Sequence, residues 1–247
     1  LFKNKTDYVS VELSIGEDVI PVRLRLKGDE IDHLEGENWS FRIKSKNKKV
    51  LGHRKFSLQQ PSTKNYVWEY LFHSMCKKEG IAALDYGFLP VSMQGGKPVT
   101  YAFESIADNY SLTSAGKELG PILRFDENAY WKKFMEGHRD LDSVYMLNAK
   151  IKPCNKKWIS KSVEQKEQYQ RAKIKLESYR NRSMEPSEVF DYDLFAKYVA
   201  ISELLGTSHN LRWINLRLYF NPKSNKFEPI AFDCFDGDDS RTTIVWY

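Results

Sequence analysis

An α+β fold is expected for this chain, β-rich in its N-terminal part and mixed, more helical, in its C-terminal part. Three patterns point to it. Apolar and polar residues alternate at strand period through most of Val9–Leu58, and a hairpin pattern recurs from Gly87 to Ser105. Helical periodicity with start and stop signals takes over later, most clearly in Asp191–Leu205. A second alternating hairpin follows, from Leu216 to Phe232. With 247 residues, 41% hydrophobic and 14% aromatic, the chain has the apolar mass for a packed core rather than disorder, as one two-lobed domain or two small ones. The change of pattern divides it into a small β-rich lobe at 1–105 and a large lobe at 106–247.

Taken in order, the strands of the first part are interrupted at Ile15-Gly16-Glu17-Asp18 and again from Asp29 to Asn38. Ser40, Arg42 and Lys44 alternate with Phe41 and Ile43, giving one apolar and one cationic strand face. Between Tyr66 and Cys76 apolar residues recur at helical spacing, so a helix is expected near Asn65–Lys78. Gly95-Gly96 supplies the turn of the hairpin that follows. Residues 106 to 160 are mixed, with a short helix beginning around Phe125–Phe134, and Lys161–Asn181 is charged enough to form a long exposed helix. Asp191 is a capping residue for the next helix and Gly206 its stop. Leu216, Leu218 and Phe220 then alternate with Arg217 and Tyr219, Asn221–Asn225 turns, and Phe227–Phe232 returns.

Several function classes are disfavoured. No apolar run approaches the roughly 20 residues of a membrane span, and no signal peptide is visible. The net charge of +5 comes from 38 basic against 33 acidic residues. Lysine clusters at Lys44–Lys49 and Lys150–Lys157 read as solvated basic faces, and without aromatic-interleaved recognition motifs nucleic-acid binding is not expected. Cys76, Cys154 and Cys234 lack the spacing of a zinc site or a disulfide framework, and the five histidines include no H-E-x-x-H arrangement.

The chemistry concentrates at His209-Asn210-Leu211-Arg212-Trp213-Ile214-Asn215 and at Asp233, eighteen residues after Asn215. This is the spacing of a kinase metal site, in which a loop amide and a carboxylate one hairpin later hold the ion that carries the nucleotide phosphates. Asn215 and Asp233 are therefore the expected metal ligands. Asp236, with Asp238 and Asp239, crowds the same loop and favours a cation. Five residues before Asn215, where the kinase base stands, the chain has Asn210, an amide that cannot take a proton near neutral pH. His209 beside it is the substitute base. The competing reading is an ordinary turn with a surface Asp and Asn.

Further blocks extend the match. They are Arg23–Asp29, His33–Gly36, Trp39–Lys44, Gly52–Gln59, Glu69–Phe72 with Gly80-Ile81, Tyr101–Glu104, Gly120–Phe125 and Leu211 through to Asp233. Together they resemble the spore-coat protein H (CotH) kinase family from about Val22 to Gly237. The resemblance implies a two-lobed atypical protein-kinase-like fold that binds ATP with Mg2+ or Mn2+. It also implies phosphorylation of Ser or Thr on a protein substrate, at the cell envelope or outside the cell. Carried over, the cationic strand gives Lys44 or Arg42 as the group that reaches nucleotide phosphates, Glu69 as the helix carboxylate that orients it, and Lys55 as a competing partner. No glycine-rich phosphate loop is visible, and relatives carry an Asp where this chain has Asn210. A catalytically silent relative, kept as a binding or scaffold module, is the alternative. Leu1 already approaches a strand and little chain follows Asp233, so segments before and after the sequence are expected.

Overall fold

The computed structural model describes residues 7–27, 33, 36, 38–138 and 142–235. The architecture is mixed α+β, in two compact units. One comprises the described residues up to Tyr70 together with Asp85–Ile106; the other comprises Leu71–Leu84 together with the described residues from Ala107 onward. In chain order the first elements are β1 (Val9–Ile15), β2 (Asp18–Leu26), β3 (Phe41–Ser45), β4 (Lys55–Gln59), α1 (Trp68–Lys78), β5 (Ala82–Ala83), β6 (Tyr86–Val91) and β7 (Val99–Glu104).

The first unit is built on one antiparallel sheet in the order β1-β2-β3-β4-β7-β6. Its register explains why the alternating sequence folds this way. Ile43 lies opposite Leu24 and Phe56, and Phe103 opposite Leu58, so Ile20, Val22, Phe41, Ile43, Phe56, Leu58 and Phe103 bury one continuous apolar face. Side chains alternate across a strand. The residues between them therefore share the other face: Arg23 opposite Lys44, Lys44 opposite Lys55, and Arg25 opposite Arg42, followed by Ser57 and Glu104.

The second unit continues with α2 (Asn109–Ser114), β8 (Ile122–Phe125), α3 (Asn128–Met135), α4 (Asp142–Asn148), β9 (Ile151–Pro153), α5 (Lys156–Ile159), α6 (Val163–Arg180), α7 (Pro186–Val189), α8 (Tyr192–Leu204), β10 (Leu218–Asn221) and β11 (Lys226–Ala231). Its five strands run β5-β11-β10-β8-β9, with β5 parallel to β11 and the other pairs antiparallel. Phe220, Phe227, Leu123, Trp213 and Ile214 pack with Ala172 and Leu176 of α6 in one core, while Tyr219, Ile230, Ile122 and Leu84 fill a second. The Asp191 carboxylate accepts from the Leu194 amide at 3.1 Å and caps α8. Gly206, at φ 65, reverses the chain past the end of that helix. No helix among the described residues is long and apolar enough to cross a membrane.

Gly120 fixes where β8 meets the β10–β11 hairpin. Its carbonyl accepts from Asn155 Nδ2 at 2.8 Å, and Asn155 Oδ1 accepts from the Ile122 amide at 3.0 Å. A Cβ at position 120 would run into the Phe220 carbonyl and sit 2.9 Å from the Tyr219 ring. Backbone cannot yield as a flexible side chain does. Gly120→Ala is therefore expected to cost about 1–3 kcal/mol, visible as a thermal midpoint several degrees lower. An unchanged midpoint would mean that the strands shift freely there.

Candidate metal and nucleotide site

The β10–β11 hairpin brings both expected metal ligands to one end. Leu218 pairs with Pro229, and the Ile230 amide donates to the Arg217 carbonyl at 2.9 Å, so the chain entering β10 runs beside the chain leaving β11. Asn215 precedes the first strand and Asp233 follows the second. His209 joins them: Asn215 Nδ2 donates to the His209 carbonyl at 2.9 Å, and His209 Nε2 stands 3.5 Å from Asp233 Oδ2. Thr207 ties the two loops together, its hydroxyl donating to the Cys234 carbonyl and accepting from the His209 amide at 3.4 Å. Asp233 itself is held at φ 53, a left-handed conformation that is uncommon for non-glycine residues but that Asp adopts more readily than most.

This arrangement suits a hard cation. The Asn215 amide spends its donor end on the backbone, which leaves its oxygen as the ligating end, and Asp233 offers a carboxylate from a fixed strand exit. Phosphate oxygens and water would complete such a shell. The His209 and Asp233 side chains are 17% and 23% exposed, so the place is reachable from solvent while its groups stay held. Arg217, whose pKa burial pulls down from the ordinary value, stacks 4.1 Å from the Phe232 ring centroid. Its Nη1 donates to the carbonyls of Ile214 at 2.9 Å and Leu216 at 3.0 Å, and the Asp233 charge acts on it as well. Among the described residues no group of three His, Cys, Asp or Glu could hold a metal ion; the oxygen set here is Asn plus Asp. Asp236, Asp238 and Asp239 lie outside the described residues.

Asn210 is placed differently from its neighbours. It sits in the short turn His209–Leu211, is fully buried, and points back at α8: its Nδ2 donates to Ser202 Oγ at 2.7 Å. The Ser202 hydroxyl in turn donates to the Tyr198 carbonyl at 2.8 Å. That chain fixes which end of the amide faces Ser202, because the only hydroxyl proton is already committed. Where the spacing expects a kinase base, the structure thus has a loop anchor buried against a helix.

In the first unit the expected Lys44–Glu69 pair is not formed. The Lys44 ammonium lies 4.0 Å from the Tyr8 ring centroid, a ring also approached by Arg23 and Arg25, while Glu69 is fully buried in the first turn of α1. Strand alternation gives the cationic face that the register shows, without giving which side chains from other strands its cations meet. The buried lysine–glutamate pair belongs instead to Lys27 and Glu104. Lys27 Nζ donates to Glu104 Oε2 at 2.8 Å and to Gln59 Oε1 at 2.5 Å, and Ser57 Oγ donates to the same Glu104 oxygen at 3.3 Å. Burial by itself would raise the Glu104 pKa. The charges of Lys27, Arg42 and Lys64, with the Lys27 hydrogen bond, overturn that and hold it at about 2. Burial lowers the Lys27 pKa despite this partner, and repulsion from Arg42 and Lys64 adds to it. Arg42, expected at the phosphates, adds its charge to the surroundings of Glu104.

Sequence reasoning also missed Thr207 and Ser202, the two hydroxyls that lock the site loop. Their one signal was position, Ser202 lying on the helix that presents the loop and Thr207 directly after its glycine stop. No family model and no curated protein matches the chain.

Proposed function

We propose that the chain binds ATP with a divalent cation, Mg2+ or Mn2+, as a CotH-like, atypical kinase-type protein. Its transfer of phosphate to Ser or Thr of an envelope or secreted protein would be slow or lost. The observation that carries this reading is the joining of Asn215 and Asp233 through His209 at one end of the hairpin, which supplies a kinase-type amide and carboxylate on fixed backbone. The two-lobed kinase-like arrangement and the extracytosolic setting come from the sequence resemblance. In kinases a lysine–glutamate pair orients the lysine that meets the phosphates. In the first unit that chemistry is available at Lys27 and Glu104 rather than at Lys44 and Glu69.

The bound ion would neutralise phosphate charge and orient the transferred group. Asp233 and the Asn215 oxygen would hold it, and the Thr207 stitch would keep their loops in register. The second reading, a catalytically silent binding or scaffold module, draws on one specific observation: Asn210 is buried against Ser202 and offers no base to an acceptor hydroxyl. Calorimetry of the full chain with ATP, with and without Mg2+ or Mn2+, tests the first reading. Metal-dependent binding is expected, and Asp233→Ala should abolish it. No metal-dependent heat at millimolar nucleotide would remove the kinase-site reading and leave the scaffold.

A further inference from the structure

We infer that Tyr8, Arg23, Arg25 and Lys44 form an oxyanion subsite on the cationic sheet face of the first unit. It takes a phosphate monoester group, free or carried on a serine or threonine, and needs no metal ion. Neither Asn215 nor Asp233 takes part. Strand pairing is the first support. Tyr8 immediately precedes β1, in which Val9 lies opposite Leu24 and Ser10 opposite Arg23, and Arg23 in turn lies opposite Lys44. Lys44 also faces Lys55, and Arg25 faces Arg42. Like charges set directly opposite one another on a sheet face are destabilising. Three such pairs across β2, β3 and β4 therefore work against the fold, a local conflict of the kind that proteins keep at functional sites.

Side-chain geometry is the second support. Lys44 Nζ stands 4.0 Å from the Tyr8 ring centroid, and the guanidinium carbons of Arg23 and Arg25 stand 5.3 and 5.7 Å from it. All three are within the roughly 6 Å of a cation–π contact. Arg25 Nε also donates to the Tyr8 hydroxyl at 3.3 Å, and its Nη1 to the Leu26 carbonyl at 2.6 Å. Three cations from two neighbouring strands are thus gathered at one ring, with Arg23 exposed and Tyr8, Arg25 and Lys44 half-buried. The ring gives them a shelf without a counter-charge. Among the described residues no carboxylate pairs with Arg23, Arg25 or Lys44. On β1 the acid of the same face, Glu12, stands two residues past Ser10 and opposite Pro21. Arg42 and Lys55 have further interactions of their own, so the subsite is assigned to the other three cations.

Charges that converge on one point suit a compact dianion. A phosphate monoester carries about −1.5 to −2 charge at pH 7 on three acceptor oxygens. A guanidinium can stack on an aromatic face while its planar fork meets two phosphate oxygens, and an ammonium adds three more donors. Carboxylates along a peptide offer the same charge only as separate groups, which cannot all reach one cluster.

The test is calorimetry of the full chain in EDTA with three probes: inorganic phosphate, a phosphoserine peptide, and the same peptide with two glutamates in place of the phosphoserine. Wild type is expected to bind the two phosphate probes and to take the glutamate peptide more weakly. A phosphoserine peptide that binds more tightly than phosphate assigns the group to a protein; equal affinity assigns it to free phosphate. Lys44→Gln should weaken both phosphate probes by about 10-fold or more, the worth of one hydrogen bond between charged groups. It should not lower the thermal midpoint, because it relieves two like-charged pairs. Arg23→Gln, at an exposed position, repeats the measurement. No heat with either phosphate probe, binding left unchanged by both substitutions, or a glutamate peptide that binds as tightly as the phosphorylated one overturns the inference. Because metal is absent throughout, each of these results leaves metal-dependent ATP binding to be judged separately.

Discussion

Glu104→Gln is expected to destabilise the first unit by about 3–5 kcal/mol at neutral pH, the cost of leaving a buried charge without its counter-ion. The amide matches the carboxylate in size and still offers an oxygen to Lys27, so packing is unchanged and the lost quantity is charge. Lys27 is bonded to that charge at 2.8 Å with its side chain 15% exposed, and the charges of Arg42 and Lys64 also act on it. The pH dependence follows from the same cluster. The folded Glu104 pKa is about 2, below its ordinary 4.5. Its contribution is therefore complete above the ordinary value and is lost as pH falls from about 4.5 through 2, a swing of about 3 kcal/mol if the unfolded chain keeps the ordinary value. Lys27 acts in the opposite sense, since a folded pKa below 10.5 makes its charge a cost at neutral pH that Glu104 offsets. Urea unfolding of the full chain across this pH window, wild type against Glu104→Gln, measures both effects. Equal stability at pH 7 with identical acid slopes would show that the pair is not the electrostatic centre of the unit.

What the sequence made legible depended on how local the determining contacts are. The α8 cap and stop were readable because Asp191 and Gly206 act within a few residues of the helix they bound. The nearness of Asn215 and Asp233 was readable because a tight hairpin converts spacing into position. Lys27 and Glu104 were not readable as a pair. They lie 77 residues apart, and their meeting depends on β4 and β7 being neighbours, which alternation within a strand cannot reveal. The same limit misplaced Lys44, since Arg42 and Lys44 share a sheet face and only the cross-strand order separates the one near Glu104 from the one over Tyr8. Asn210 illustrates a third limit. Its position in the motif put it where a kinase base stands, but a loop folded back onto its own presenting helix buries the side chain.

That burial reverses what would be expected of restoring an aspartate at position 210. On spacing alone Asn210→Asp supplies the missing base and raises phosphotransfer. In the structure the replaced nitrogen is a donor to Ser202 Oγ, whose own proton is committed to the Tyr198 carbonyl. A carboxylate there would set oxygen against oxygen in a fully buried place, at a cost on the order of 3–5 kcal/mol for an uncompensated buried charge. Protonation relieves that cost, because a neutral carboxyl can donate to Ser202 as the amide did, so the introduced group should have a folded pKa above the ordinary carboxylate value. The sign follows: a raised folded pKa gives stability that is present at low pH and lost as pH rises through it. The variant is therefore expected to melt near wild type at mildly acidic pH and well below it at pH 8, with no gain in transfer from γ-labelled ATP. The decisive measurements are thermal unfolding at both pH values and radiolabel transfer by the same preparations. An aspartate variant as stable as wild type at pH 8 that phosphorylates faster would place residue 210 at the acceptor hydroxyl after all, and the scaffold reading would then lose its one specific support.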